Sequence, residues 1–213
     1  MLDVAQLITE EQAKHKKASR AIPDEAIDTM QRTLINKGYL ISVCPSAHRS
    51  LAEYLIRAKA GDPRGLCLAG QCGLGKTKFL SEYIDCRMLT SGEIVKRYMA
   101  DGYTEGFGEW VHGTYHSGLC HVQAQDVSID ELGWEKTAKR YGETLDVLAD
   151  IIGERYNHWR NHGAKTHLTT NLTAKELDQR YGRRITDRIR EMCFIVKFDG
   201  KSARGIFSDV PGI

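Results

Sequence analysis

Short apolar runs along this chain alternate with longer stretches in which apolar residues recur every three or four positions. Leu66-Cys67-Leu68-Ala69 is a continuous run of strand length, and Phe79, Leu80, Tyr83 and Ile84 follow it at helical spacing. Arg87-Met88-Leu89 predicts a short strand, and Thr90-Ser91-Gly92-Glu93 has the form of a capping box opening a helix through Ile94, Val95 and Tyr98. Val127 and Ile129 in "DVSIDELG" (126–133) predict another strand, made unusually polar by Asp126 and Ser128. A long amphipathic helix is predicted next, with Leu145, Leu148, Ile152, Tyr156 and Trp159 on one face and Gly163 at its end. "KTHLTTN" reads as a strand ending at Asn171, Thr173-Ala174-Lys175-Glu176 as a second capping box, "RRITDRIREM" as a basic helix and "CFIVKF" (193–198) as a last buried strand. Upstream, Ile27, Met30 and Leu34 fall at i, i+3 and i+7 between Pro23-Asp24 and Gly38. A further helix follows Pro45, with Leu51, Tyr54, Leu55 and Ala58 on one stripe and Gly61 closing it. Strands alternating with helices predict an α/β fold, a parallel sheet flanked by helices. The expected division is a small N-terminal helical element over residues 1–45 and one larger domain over 46–213. Residues 101–119, rich in Gly, Tyr and His, are expected to be irregular.

Composition changes this picture little. Hydrophobic residues make up 41% and charged residues 27% of 213, which suits a globular chain with a proper core. Net charge is +2, from 30 basic and 28 acidic residues, so only local patches bear on nucleic-acid binding. One such patch, Lys14 to Arg20, reads either as a solvated helix face or as a nucleic-acid contact. No apolar run approaches the roughly 18 residues of a membrane helix, and the charged, amphipathic N-terminus does not read as a secretory signal. The six cysteines are scattered without C-x-x-C pairing, which points to reduced thiols and a cytoplasmic location. His112, His116, Cys120 and His121 have spacings that invite a zinc reading. They lack the C-x-x-C half of a standard finger, and ordinary loop or core histidines are the favoured reading.

The candidate chemistry starts in the loop Gly70-Gln71-Cys72-Gly73-Leu74-Gly75-Lys76-Thr77, which has the form G-x-x-x-x-G-K-[ST] between a predicted strand and a predicted helix. Glycines let successive backbone N–H groups turn inward towards an anion, and the helix N-terminus adds its dipole. Lys76 is placed to reach β- and γ-phosphates, and the Thr77 hydroxyl to bind Mg²⁺. The expected nucleotide-binding set is this loop from Gly70 through Thr77, together with Lys78 and Arg204, which lies past the last strand and either folds back onto the nucleotide or is a solvated tail arginine. Asp130 and Glu131 end a strand well downstream, where Asp130 would hold the magnesium and Glu131 would polarise the attacking water. Asn171 ends the next strand, where its amide can orient that water, cap the following helix, or do both. Arg183, Arg184, Arg188 and Arg190 are expected to form one basic surface. Within it, Arg188 is either an inserted charge stabiliser or a salt-bridged surface residue.

Taken together, "IDELG", "ERY" (154–156), "TTNLTAKEL", "YGRRITDRIRE" and "GKSAR" resemble, in order and spacing, the AAA+ ATPases of the DnaC/IstB type. The resemblance runs from about Gly65 to Arg204. It implies a P-loop NTPase (AAA+) fold with a truncated or absent C-terminal lid, and ATP with Mg²⁺ as ligands; no N-K-x-D guanine-reading motif is present. By the same resemblance, Lys76 and Thr77 match the Walker A positions, and Asp130 and Glu131 the Walker B positions. Asn171 matches sensor 1, Arg204 matches sensor 2, and Arg188 matches an arginine finger that acts in trans on a neighbouring subunit's ATP. The implied catalytic residues are thus Glu131, Asn171 and Arg188. The implied function is that of a helicase loader. It would hydrolyse ATP slowly, self-assemble into an oligomer, and bind the replicative helicase through its N-terminal segment and single-stranded DNA through its ATPase domain. The alternative is an IstB-like helper of a transposase that assembles on duplex DNA. "IDELG" is closer to the first group than the IDDLG common in the second.

Overall fold

The computed structural model describes residues 21–38, 44–103, 107–112, 125–140 and 143–200. Helices α1 (Asp24–Asn36) and α2 (Pro45–Lys59) precede β1 (Gly65–Gly70), α3 (Lys76–Tyr83), β2 (Arg87–Thr90) and α4 (Ser91–Asp101). A short α5 (Glu109–His112) leads to β3 (Val127–Leu132) and the small strands β4 (Ala138–Arg140) and β5 (Glu143–Leu145). Helix α6 (Val147–His162), β6 (Thr166–Thr170), α7 (Ala174–Tyr181), α8 (Arg183–Met192) and β7 (Cys193–Phe198) complete the described chain.

Five strands form one sheet in the order β2-β3-β6-β1-β7, and every neighbouring pair is parallel. Parallel neighbours require long crossovers, which here carry the helices onto both faces. Alternation along the strands sorts the core. Leu66 and Leu68 of β1, with Val196 and Phe198 of β7, pack with α1, α2 and α3. Cys67, Val127, Ile129 and Leu168 pack on the other face with α4, α5, α6, α7 and α8. Burial on both faces explains why β1 reads as a continuous apolar run.

The two N-terminal helices belong to this packing. Ile27 and Leu34 of α1 and Leu51, Ala52 and Tyr54 of α2 are buried in the cluster that holds β1 and α3, and Arg49 of α2 pairs with Asp24 of α1 at 2.5 Å. Both capping boxes form: the Thr90 and Thr173 hydroxyls accept from the Glu93 and Glu176 N–H groups, and each Glu side chain bonds back. The polar residues of β3 are accounted for by their partners. Ser128 lies 3.0 Å from Cys86 Sγ, and Asp126 Oδ1 accepts from the Lys165 N–H at 2.7 Å. No disulfide forms among the described cysteines, and no helix there is long and apolar enough to cross a membrane.

Three expectations are corrected. Leu145 lies in β5, paired with Ala138 of β4, not on the long helix. That helix begins at Val147 because the Asp146 carboxylate caps the Ala149 N–H at 3.4 Å. Leu145 mimics a helical position only because it sits three residues before Leu148. Within 101–119, residues 109–112 are helical, and Trp110 and Val111 are buried in the core. The arginines of α8 do not form one uniform basic surface: Asp187 pairs with Arg190 at 2.6 Å and with Arg183 at 3.7 Å. The histidine–cysteine cluster from the His112 side chain through His116, Cys120 and His121 lies outside the described residues, as does Arg204.

Candidate nucleotide site

Because β6 lies between β1 and β3, the C-terminal ends of these three strands sit side by side. The glycine loop leaves β1, the Asp130–Glu131 pair ends β3, and Asn171 follows β6. Gly70 is required where the loop departs: its φ is +149°, and a Cβ there would lie 2.2 Å from the Phe198 carbonyl oxygen. Leu74, fully buried, anchors the loop to the core beneath it. Gly75, in the left-handed region, caps α3, so Lys76 and Thr77 begin its first turn.

The loop's cation and hydroxyl reach the other two strands directly. Lys76 is only 6% exposed. Its Nζ donates to the Gly70 carbonyl at 2.6 Å, the Gln71 carbonyl at 2.7 Å and Asn171 Oδ1 at 2.9 Å. Thr77 Oγ1 donates to Asp130 Oδ1 at 3.1 Å, and Asp130 is 4% exposed. The structure therefore brings Lys76, Thr77, Asp130 and Asn171 together. Cys72 is exposed in the loop, and Lys78 is exposed on α3, 3.9 Å from Glu82. Among the described residues a cavity of about 640 Å³ opens beside the loop, lined in part by Gly70, Gln71, Asn171 and Ile195.

Glu131 is placed by backbone geometry. Its φ of 58° makes it the one non-glycine residue with positive φ among those described, a conformation that costs about 1–3 kcal/mol unless neighbours impose it. The neighbours do so here. Its N–H donates to Thr169 Oγ1 at 2.9 Å, and its carbonyl accepts from Ser91 Oγ at 2.7 Å and from the Trp134 N–H at 3.1 Å. The register of β3 against β6 shifts between Ile129 and Leu132. That irregularity turns Asp130 inward and leaves Glu131 exposed. Thr169 serves both carboxylate residues, since its hydroxyl also donates to Asp130 Oδ1. Thr169 and Ser91 are site residues that motif reading alone does not single out. The available signal is the period of two along "HLTT", which places Thr169 beside Asp130 once β6 pairs with β3.

Arg188 lies elsewhere. Its guanidinium sits over the Tyr156 ring of α6, 5.1 Å from the centroid. Gly153 leaves room for it, because a Cβ there would approach Arg188 Nη1 to 2.9 Å. The salt bridge to Asp187 is taken by Arg183 and Arg190. Arg188 is thus held between α8 and α6.

No protein-family model matches the chain, and no curated protein does. Among solved structures it is similar to DnaI, with a TM-score of 0.51 and 17% identity over 72% of this chain and 85% of that one. It is also similar to a primosome component from Streptococcus pyogenes serotype M3, with a TM-score of 0.50 and 15% identity over 75% of this chain and 83% of that one. A structure of the DnaC helicase loader aligns at 18% identity and a TM-score of 0.45, over 71% of this chain and 90% of that one. The described chain therefore shares the parallel α/β fold of these proteins, with its glycine loop at the C-terminal end of β1. Within that fold, DnaI and the primosome component are the structures it resembles.

Proposed function

We propose that this chain is an ATP-dependent loader that binds a replicative DNA helicase and single-stranded DNA, working as an oligomer. The observation that carries the reading is the joining of Lys76, Thr77, Asp130 and Asn171 by direct hydrogen bonds from three adjacent strands, on a fold shared with DnaI. Fold alone does not fix function; this constellation supports the holding and cleavage of a nucleoside triphosphate.

Lys76 exchanges its carbonyl partners for phosphate oxygens, a charge-assisted contact stronger than the ones it leaves. Thr77 Oγ1 and Asp130 Oδ1, 3.1 Å apart, are hard oxygen donors of the kind Mg²⁺ takes alongside water and phosphate. When bound, the ion neutralises charge on the phosphates. Glu131, exposed beside Asp130, accepts a proton from the attacking water, and Asn171 orients the transferring group next to Lys76. Arg188 acts on a neighbouring subunit's nucleotide, which requires self-assembly; within its own chain its guanidinium contacts the Tyr156 ring. Arg204 completes the nucleotide contacts, and the N-terminal segment through about residue 60 contacts the helicase.

The test is capture of the hexameric replicative helicase of the same host or replicon by the full chain and by a chain lacking residues 1–20. Deletion through residue 60 is not informative, because Leu51 and Tyr54 are core residues. Capture by the full chain supports the loader reading, and the deletion shows whether Lys14 to Arg20 contribute. Absence of capture, together with ATP-dependent assembly on duplex DNA, replaces it with the transposase helper.

A further inference from the structure

The turn that carries Glu131 contains a second carboxylate with a different fate. The Glu135 side chain is only 1% exposed, and a glutamate is almost never this buried unless it is paired. Its Oε2 accepts from the Gly133 N–H at 2.9 Å, which closes the turn. Its Oε1 accepts from Arg180 Nη2 at 3.1 Å and from the Tyr181 hydroxyl. Arg180 Nη1 also donates to Asp146, the residue that caps α6. One carboxylate therefore ties the turn after Glu131 to the last turn of α7 and, through Arg180, to the start of α6.

These helices hold Arg188. Helix α7 passes through Gly182 directly into α8, and Arg188 of α8 rests on Tyr156 of α6. The turn also bears on Asn171. Gly133, at φ +99°, approaches the residue that follows Asn171 so closely that a Cβ would lie 2.4 Å from Leu172 Cδ1. Buried ion pairs are weak stabilisers, and apolar residues of the same volume often serve stability better. What this network does fix is the relative placement of the turn and the helix pair.

We propose that Glu135 is a positioning residue, which passes the placement of the α7–α8 pair, and with it Arg188, to the Glu131 carboxylate. Hydrolysis then responds to engagement of Arg188 by a neighbouring subunit. The inference rests on the reading of the chain as an ATPase that assembles. Arg188 is the contact, Glu135 is the link, and Glu131 is the group that is moved.

The test is steady-state ATP hydrolysis against protein concentration for the full-length wild type, Glu135→Gln and Tyr181→Phe. A glutamine offers one acceptor oxygen, so it cannot serve both the Gly133 N–H and the Arg180–Tyr181 side. Expected in Glu135→Gln is a kcat lower by about tenfold or more, the scale of a small misplacement of a catalytic group. KM and the affinity for a fluorescent ATP analogue stay within about twofold, because the loop and Asp130 are untouched. Tyr181→Phe, which keeps the Gly133 bond, lowers kcat less and flattens its rise with protein concentration. Trp134 supplies a second readout from inside the turn: it is 80% exposed, whereas Trp110 is buried. Its emission, assigned with Trp134→Phe, shifts on ATP-driven assembly of the wild type and does not shift in Glu135→Gln. Folded Glu135→Gln and Tyr181→Phe proteins with wild-type kcat and concentration dependence overturn the inference alone. If Glu135→Gln does not fold, Tyr181→Phe decides by the same criterion. A wild-type chain that hydrolyses no ATP overturns the parent reading and this one with it.

Discussion

Glu131 occupies a backbone conformation that side chains avoid, and three hydrogen bonds hold it there. Such strain persists only where the surroundings over-determine it, and it clusters at working sites. Lys76 is the other decisive residue. Hydrogen bonds to charged groups are worth about 1.5–3 kcal/mol, so Lys76→Ala should weaken nucleotide binding by about 10- to 150-fold, as read by titration of a fluorescent analogue. His167 makes a prediction about pH. It is buried on β6, and burial, reinforced by Lys165 and Arg155, pushes its pKa down to about 3. The unfolded chain takes up a proton near pH 6.5 that the folded chain refuses. This contribution is therefore complete above pH 6.5 and is lost progressively towards pH 3, by at most about 1.4 kcal/mol per pH unit. Denaturant midpoints measured between pH 7 and pH 4 should fall with this sign, and His167→Gln should flatten the slope. That Lys76, Thr77, Asp130 and Asn171 come together was legible in the sequence, because each sits in a local pattern at the end of a predicted strand. Thr169 and Glu135 were not, because their roles exist only once β6 lies beside β3 and α7 beside the turn.

Among the elements, α6 shows how a buried charge organises its surroundings. Arg155 is fully buried and donates to Thr166 Oγ1 at 2.9 Å, the Val111 carbonyl at 3.1 Å and the Lys165 carbonyl at 2.6 Å. Burial pulls its pKa down to about 10. It joins α6 to α5 and to the entry of β6, and so adds a polar tie to the core packing that holds Trp110. Arg155→Leu removes the donor to the Thr166 hydroxyl and the Val111 carbonyl, at roughly 1 kcal/mol each, while the Lys165 carbonyl keeps the Val127 N–H at 3.1 Å. Chemical denaturation should show a loss of about 2 kcal/mol with nucleotide contacts unchanged. Arg188 on α8 belongs to the same scale. Arg188→Ala should leave nucleotide affinity within about twofold and reduce hydrolysis by about 10³-fold or more, the range for a trans-acting arginine. Normal hydrolysis in this variant sinks the trans assignment. Both capping boxes, and the strands they follow, could be read from spacing alone. The β4–β5 hairpin could not, since two three-residue strands carry too little periodicity to compete with the helical pattern around them.

Over the whole molecule, the parallel α/β architecture followed from the alternation of runs and periods. The strand order did not, because it is set by crossovers between segments distant in sequence. The packing of α1 and α2 against β1 and α3 was equally hidden: their apolar stripes show that they bury a face, but not which surface receives it. The segment proposed to meet the helicase is therefore continuous with the core beneath the phosphate loop, and a partner gripping it pulls on the same packing that supports Leu74.

The central position of β6 also bears on how the chain acquires its structure. Parallel strands with long crossovers pay loop-closure entropy before any ladder forms, which makes such sheets slow to complete. Lys76, Asp130 and Asn171 meet only after β6 has inserted between β1 and β3. A nascent chain that has formed β1 and its loop, but not this insertion, offers the lysine its own Gly70 and Gln71 carbonyls but neither Asn171 nor the neighbouring Asp130. If nucleotide binds only the finished site, as proposed, it adds about 2.7 kcal/mol of stability at a hundredfold excess over Kd. On the proposed reading, the loop acts as an inspector of its own maturation, its site complete only when β6 is home.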